Sequence, residues 1–241
     1  MEINQTILEI VKKITENKAD IQYLLALRKD IIPTSGWVAS SEWTRKSDYE
    51  FECDNDQTLY FTKGTKVRYE LISGTYEYGI VTNSSYAIKT TVTLATNADY
   101  AMTSSPIITN ISHIENPEGW PDWFNFTLVV GGSGAMTYTL VSTQECKFRV
   151  SAQTVFFMVR ASGTTGGVAN VSIYAQLPIE CQDASSLTSG FGQVNDGGLI
   201  GATVRINAGV PDVMEFRRYD GANFGIGAGR VMAGMAIYHM A

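Results

Sequence analysis

The chain changes period at Pro33, and no other feature constrains its fold as much. Residues 1–32, "MEINQTILEIVKKITENKADIQYLLALRKDII", hold no glycine or proline, and their apolar residues recur at helical spacing. From Gly36 onward, short runs of alternating apolar and polar residues are cut by turn residues at intervals of about ten. Of the 241 residues, 44% are hydrophobic, only 17% are charged and 22 are glycines, which suits a β-rich protein able to bury a core without metal or disulfide. The predicted fold class is mainly β. It comprises an N-terminal helix over 1–33, a small antiparallel β-barrel or sandwich over 36–121 and a C-terminal β-sandwich head over 122–241.

Within the helix, Ile3, Ile7, Ile10, Ile14, Asn17, Ile21 and Leu24 advance by alternating steps of four and three. This is a heptad seam, with Ile7, Ile14 and Ile21 at a and the others at d. Isoleucine at both a and d favours three strands over two, so the spacing predicts a trimeric coiled coil that serves for oligomerisation and anchoring. Asn17 would fix its register, because sliding the helices would bury an unpaired amide. The alternative is a single helix docked on its own domain through Leu8, Val11, Leu25 and Leu27.

In the first β module, Val67, Tyr69 and Leu71 oppose Lys66, Arg68 and Glu70, the pattern of a half-buried strand. Gly64 in "FTKGTK" and Gly74 in "LISGTYEY" mark turns. In the second module, strands are expected over 126–130, 136–141, 145–150, 154–161, 170–177, 201–207, 213–219 and 231–239. From Asp122 to Ala241 there are only seven basic and eight acidic residues, which suits a domain that buries surface against copies of itself.

The stretch "ENPEGWPDWFNF" at 115–126 carries two of the four tryptophans and two of the six prolines where the modules meet. Pro117 and Pro121 preset φ and withhold two donors from a sheet, so the backbone leaves one module and is aimed into the next. Trp120, Trp123 and Phe124 are expected to fill the seam; an aromatic ligand platform is the other reading.

Several chemistries are disfavoured. A net charge of −6, with no Lys/Arg cluster denser than Arg217-Arg218, argues against nucleic acid. Three cysteines without C-x-x-C spacing and two histidines give no metal framework, and an odd count of thiols suits a reducing cytoplasm. No apolar run approaches the roughly 20 residues of a membrane span. "DNDQ" at 54–57 lacks the glycine and distal glutamate of a calcium hand, and His113 has no evident partner for general-base work. The glycine clusters "GGSG", "GTTGG" and "NDGG" open no helix and read as hairpin turns rather than phosphate loops. No enzyme and no cofactor is expected. "YDGANFGIGAG" at 219–229 reads as a β-turn over core aromatics, with presentation of Tyr219, Asn223 and Phe224 as a receptor loop as the alternative.

The order of motifs carries a resemblance. Trp37 and Trp43, then "FTKGTKVRYEL", "YEYGIV", "TTVTL" and "IENPEGWPDWFNF", resemble a module of small structural proteins of tailed bacteriophages and related prophages. "KFRVSAQTVFFMVRASGTTGG" followed by "VSIYAQLP" is similar to the β-sandwich or jelly-roll heads of phage fibres, which are typically trimeric. The resemblance implies a virion structural protein without catalytic residues, assembled in the host cytoplasm. It would be a homotrimeric head fibre or capsid decoration protein, held by its N-terminal helix in a capsid or tail socket among other virion proteins. The alternative is a tail-associated, adhesin-like protein that recognises a glycan or protein on the host surface.

Overall fold

The structure is a computed structural model that describes residues 34–97, 100–182, 190–207 and 210–241. Among the described residues, seven strands form the first antiparallel sheet: β1 (Val38–Ala39), β2 (Thr44–Ser47), β3 (Glu50–Asp54), β4 (Lys66–Ile72), β5 (Thr75–Tyr86), β6 (Lys89–Thr96) and β7 (Ile108–Ser112). Their order is β1-β7-β4-β5-β6-β3-β2. Alternation selects the core as expected, for Val67, Tyr69, Val81, Val92 and Ile111 all point to one buried face. Trp43 stacks on Phe51 at 4.0 Å, and Phe61 meets both rings edge-on. Rings buried in this way contribute on the order of 2 to 3 kcal/mol each.

Nine strands form the second sheet: β8 (Phe124–Asn125), β9 (Val130–Gly132), β10 (Met136–Ser151), β11 (Thr154–Gly167), β12 (Ser172–Gln176), β13 (Gly190–Asn195), β14 (Leu199–Asn207), β15 (Val210–Arg218) and β16 (Gly227–His239). The order is β8-β10-β11-β16-β13-β14-β15-β12-β9. The sheet curls until β9, paired with β12, lies against the start of β10. A Cβ placed on Gly132 would stand 2.6 Å from the Met136 carbonyl oxygen. The enclosed face carries Phe148, Val155, Phe157, Val159, Ile173, Val204, Met214, Phe216 and Met232.

Two parts of the expected fold class are corrected. Strands account for 62% of the structure, and no α-helix occurs among the described residues. Ile3, Ile7, Ile10, Ile14, Asn17, Ile21 and Leu24 lie outside those residues, so the trimeric coiled coil has no support. The jelly-roll head is the second correction. Instead of two facing sheets, the C-terminal half is one continuous hydrogen-bonded sheet rolled around its core.

The glycine clusters are revised as well. "NDGG" does turn β13 into β14, but "GTTGG" lies inside β11. There a Cβ on Gly163 would meet the Tyr138 ring at 2.5 Å and the Thr139 carbonyl oxygen at 2.6 Å. These glycines admit a close approach rather than a reversal.

Candidate functional site

The first sheet is covered on both faces, and this creates the joint. Side chains of Lys66, Arg68 and Glu70 leave β4 on the face away from the first core, together with Tyr76, Tyr78 and Ile80 of β5. Ile80 and Ala95 belong to the core of the second module, with Tyr78, Tyr100 and Trp120 packed against it. Trp120 stands 6.1 Å from Trp37, 5.9 Å from Tyr78 and 5.2 Å from Phe124, and Phe124 stacks at 5.3 Å on Phe148 of β10. The rings form an unbroken aromatic path from one sheet to the other. Pro117 is buried and its carbonyl accepts the Trp120 amide at 3.0 Å, the turn that aims the tryptophan inward. Pro121 follows, half-buried.

Trp123 is the exception. It faces outward beneath the cations of Lys147 and Arg149, at 5.0 and 5.2 Å from its ring. The seam therefore consists of Trp120 and Phe124, with Trp123 outside it.

A polar clasp flanks the rings. Lys66, only 5% exposed, donates from Nζ to the Ile114 carbonyl at 3.2 Å and lies 4.0 Å from Glu115. Burial pulls its pKa down, partly offset by the Glu115 carboxylate. Ser151 of the second module donates to Glu115 Oε1 at 2.6 Å, and this bond leads in holding the Glu115 pKa below the usual carboxylate value. Lys63 donates to the Ala241 carbonyl oxygen. Gly64, at φ +88°, passes so near the β10–β11 turn that a Cβ would lie 2.9 Å from the Ala152 carbonyl oxygen.

The opposite end of the second sheet carries the loops after β9, β11, β13 and β15, since the strand register places Gly132, Gly167, Asn195 and Arg218 away from the Ser151–Thr154 turn. One carboxylate organises them. Asp196, its side chain 1% exposed, receives Arg218 Nη1 at 2.5 Å, Arg230 Nε at 2.8 Å and the Gly225 amide at 3.0 Å. Arg218 also grips Asp220, whose carboxyl it holds at about 2 with help from the Ala222 amide. Salt bridges of this buried kind fix geometry.

The proposed receptor loop is thereby divided. Tyr219 is 84% exposed, whereas Phe224 is fully buried and its amide donates to the Asn170 carbonyl. Asn223 donates to the Ala169 carbonyl at 3.4 Å. Phe224 is core, so the receptor-loop alternative loses it, because the hydrophobicity of the ring favours burial at the barrel end.

The remaining candidates resolve simply. Asp54 pairs with Lys89 at 2.9 Å, and Asp56 accepts the Thr58 amide and hydroxyl, so "DNDQ" is a turn. His113 is exposed, with Nδ1 3.4 Å from the Thr65 hydroxyl. Among the described residues, no group of three or more His, Cys, Asp or Glu is placed to hold a metal ion.

One feature had no sequence signal. Between β1, the end of β7 and residues 57–60 lies a cleft of about 740 Å³, walled by Val38, Leu59, Tyr60, Ile111 and Ile114. Its walls come from three separated segments of chain, which no local pattern could have joined. Comparison with protein-family models, characterised proteins and solved structures finds no match.

Proposed function

We propose that the protein is a structural component of a tailed-bacteriophage particle, a homotrimeric head fibre or capsid decoration protein displayed on the virion surface and assembled in the host cytoplasm. The observation that carries this reading is an apolar row on the outer face of the second sheet. Met158, Met235 and Phe191 are direct cross-strand partners on β11, β16 and β13, and Phe156 and Ile237 form the next pair. Phe191 is 76% exposed, although strand side chains on an outer face are ordinarily polar. Each Å² of apolar surface removed from water contributes about 25 cal/mol, so association through this row is favourable. The motif order and the aromatic bridge between the two modules support a particle-surface role.

Light scattering tests the assembly. The protein should have three times the chain mass, and Phe191→Glu with Met235→Glu should reduce it to one; a monomer before substitution sinks the proposal. Locating labelled protein on phage particles by microscopy tests the placement.

A second reading, a tail-associated protein that binds a glycan or protein on the host surface, is favoured by Tyr219. This ring projects from loops locked by Asp196, and a preorganised aromatic limits the entropy lost on binding. Particles carrying Tyr219→Ala would adsorb poorly on this reading and normally on the first.

A further inference from the structure

The cleft beside β1 is a site that the proposed assembly does not use. Its volume of about 740 Å³ falls within the range of small-molecule sites, roughly 300 to 1,000 Å³. Val38, Ile111 and Ile114 supply an aliphatic wall, and Leu59 and Tyr60, both exposed, complete it. No Asp, Glu, Lys or Arg is among the residues that wall it. A charged ligand group enclosed here would lose its hydration without gaining an opposite charge, so the cleft selects for neutral occupants.

One hydroxyl in the wall is unspent. Ser40 Oγ accepts the Trp43 indole at 3.1 Å, and Ser112 Oγ accepts the Ile114 amide at 3.3 Å. Ser41 Oγ, by contrast, is buried without a hydrogen-bond partner. The Cys53 thiol beside it is a weak partner, and its proton is directed to the Thr90 carbonyl at 3.8 Å. Buried polar groups are ordinarily paired, so an orphaned hydroxyl in the wall of a cleft calls for an occupant that pairs it. A hydroxyl both donates and accepts, and its best complement is a group that does the same, an alcohol or an amide.

We propose that this cleft binds a neutral amphiphile, an aliphatic chain with an uncharged hydroxyl or amide head. The chain lies against Val38, Leu59, Ile111 and Ile114, and the head is hydrogen-bonded to Ser41 Oγ. Ser41 as a whole is only half-buried, and a change of its χ1 rotamer presents the hydroxyl to the ligand. This goes beyond the virion reading and does not depend on it.

The test is equilibrium dialysis of the full chain against octanol and, separately, octanoate. Octanol should bind saturably, and octanoate at least about tenfold more weakly, because its carboxylate meets no cation in the cleft. Ser41→Ala should weaken octanol by about three- to tenfold, the value of one neutral hydrogen bond, and narrow its preference over octanoate. Leu59→Asp changes a residue that is 87% exposed, so the fold should tolerate it, and it should weaken octanol at least about tenfold by setting a charge against the chain. Phe191→Glu, on the outer row of the second sheet, should leave octanol binding unchanged, which separates the cleft from the assembly surface. The proposal is overturned by no saturable octanol binding, by equal affinity for octanol and octanoate, by an unaltered affinity in Ser41→Ala, or by binding that survives Leu59→Asp and is lost in Phe191→Glu.

Discussion

Lys66 holds its ammonium 5.5 Å from the centre of the Trp120 ring, with its side chain only 7% exposed. Both residues lie in the first module by sequence position, yet Trp120 packs against the core of the second, and their contact marks where the outer face of the first sheet becomes an internal surface. Attraction between the cation and the ring, with the hydrogen bond to Ile114, offsets part of the cost of burying the charge.

Trp120→Ala should destabilise the protein by about 3 kcal/mol, the cost typical of deleting a large aromatic from packed surroundings. Denaturation followed by fluorescence should then resolve separate transitions for the two modules. Trp123→Ala removes only two partly exposed cation–π contacts and should cost less than about 1 kcal/mol. A larger loss from Trp123 than from Trp120 would contradict the arrangement of the joint.

The Glu115–Ser151 contact predicts a dependence on acid. Because the folded pKa of Glu115 lies below its ordinary value of 4.5, the unfolded chain binds the proton more readily. The stabilisation is therefore complete above pH 4.5 and is lost as pH falls through the folded value. Ser151→Ala should move the Glu115 titration, followed by carboxyl NMR, back towards 4.5 and flatten this part of the stability profile. An unmoved titration would show that the hydroxyl is not its main cause.

Asp196→Asn should cost about 3 to 5 kcal/mol, because it leaves Arg218 and Arg230 near a neutral amide. Asp220→Asn, at an exposed position where solvent screens the pair, should leave stability almost unchanged. Hydrogen exchange of residues 219–226 should accelerate in the first variant and change little in the second.

Gly163→Ala places a methyl group against the Thr139 carbonyl, a backbone atom that cannot rotate away. A loss of about 1 to 3 kcal/mol is expected in chemical denaturation, as for other overpacked sites. Gly201→Ala, where the nearest atom would be 3.9 Å away, serves as the tolerant control.

The sequence by itself determined the strand content and the inward residues of most strands, because a two-residue period is a local property of the chain. Val67 and Tyr69, or Val155 and Phe157, had to share a face wherever their strands were placed. The proline and glycine chemistry at 117–121 was likewise enough to expect a turn there, where the Pro117 carbonyl accepts the Trp120 amide. Other features escaped the local pattern: "GFGQVN" forms β13, which is not among the expected strands, and the two expected strands over 136–150 merged into β10. Tertiary structure alone decided that Lys66 is buried, that Trp123 stays outside the seam, that Phe224 closes the barrel end and that Asp196 meets two arginines from later strands. The physical reason is common to all four. Periodicity states which side of an element a residue occupies, whereas burial and charge pairing depend on what packs against that side, and the packing partners here lie 22 to 54 residues away along the chain.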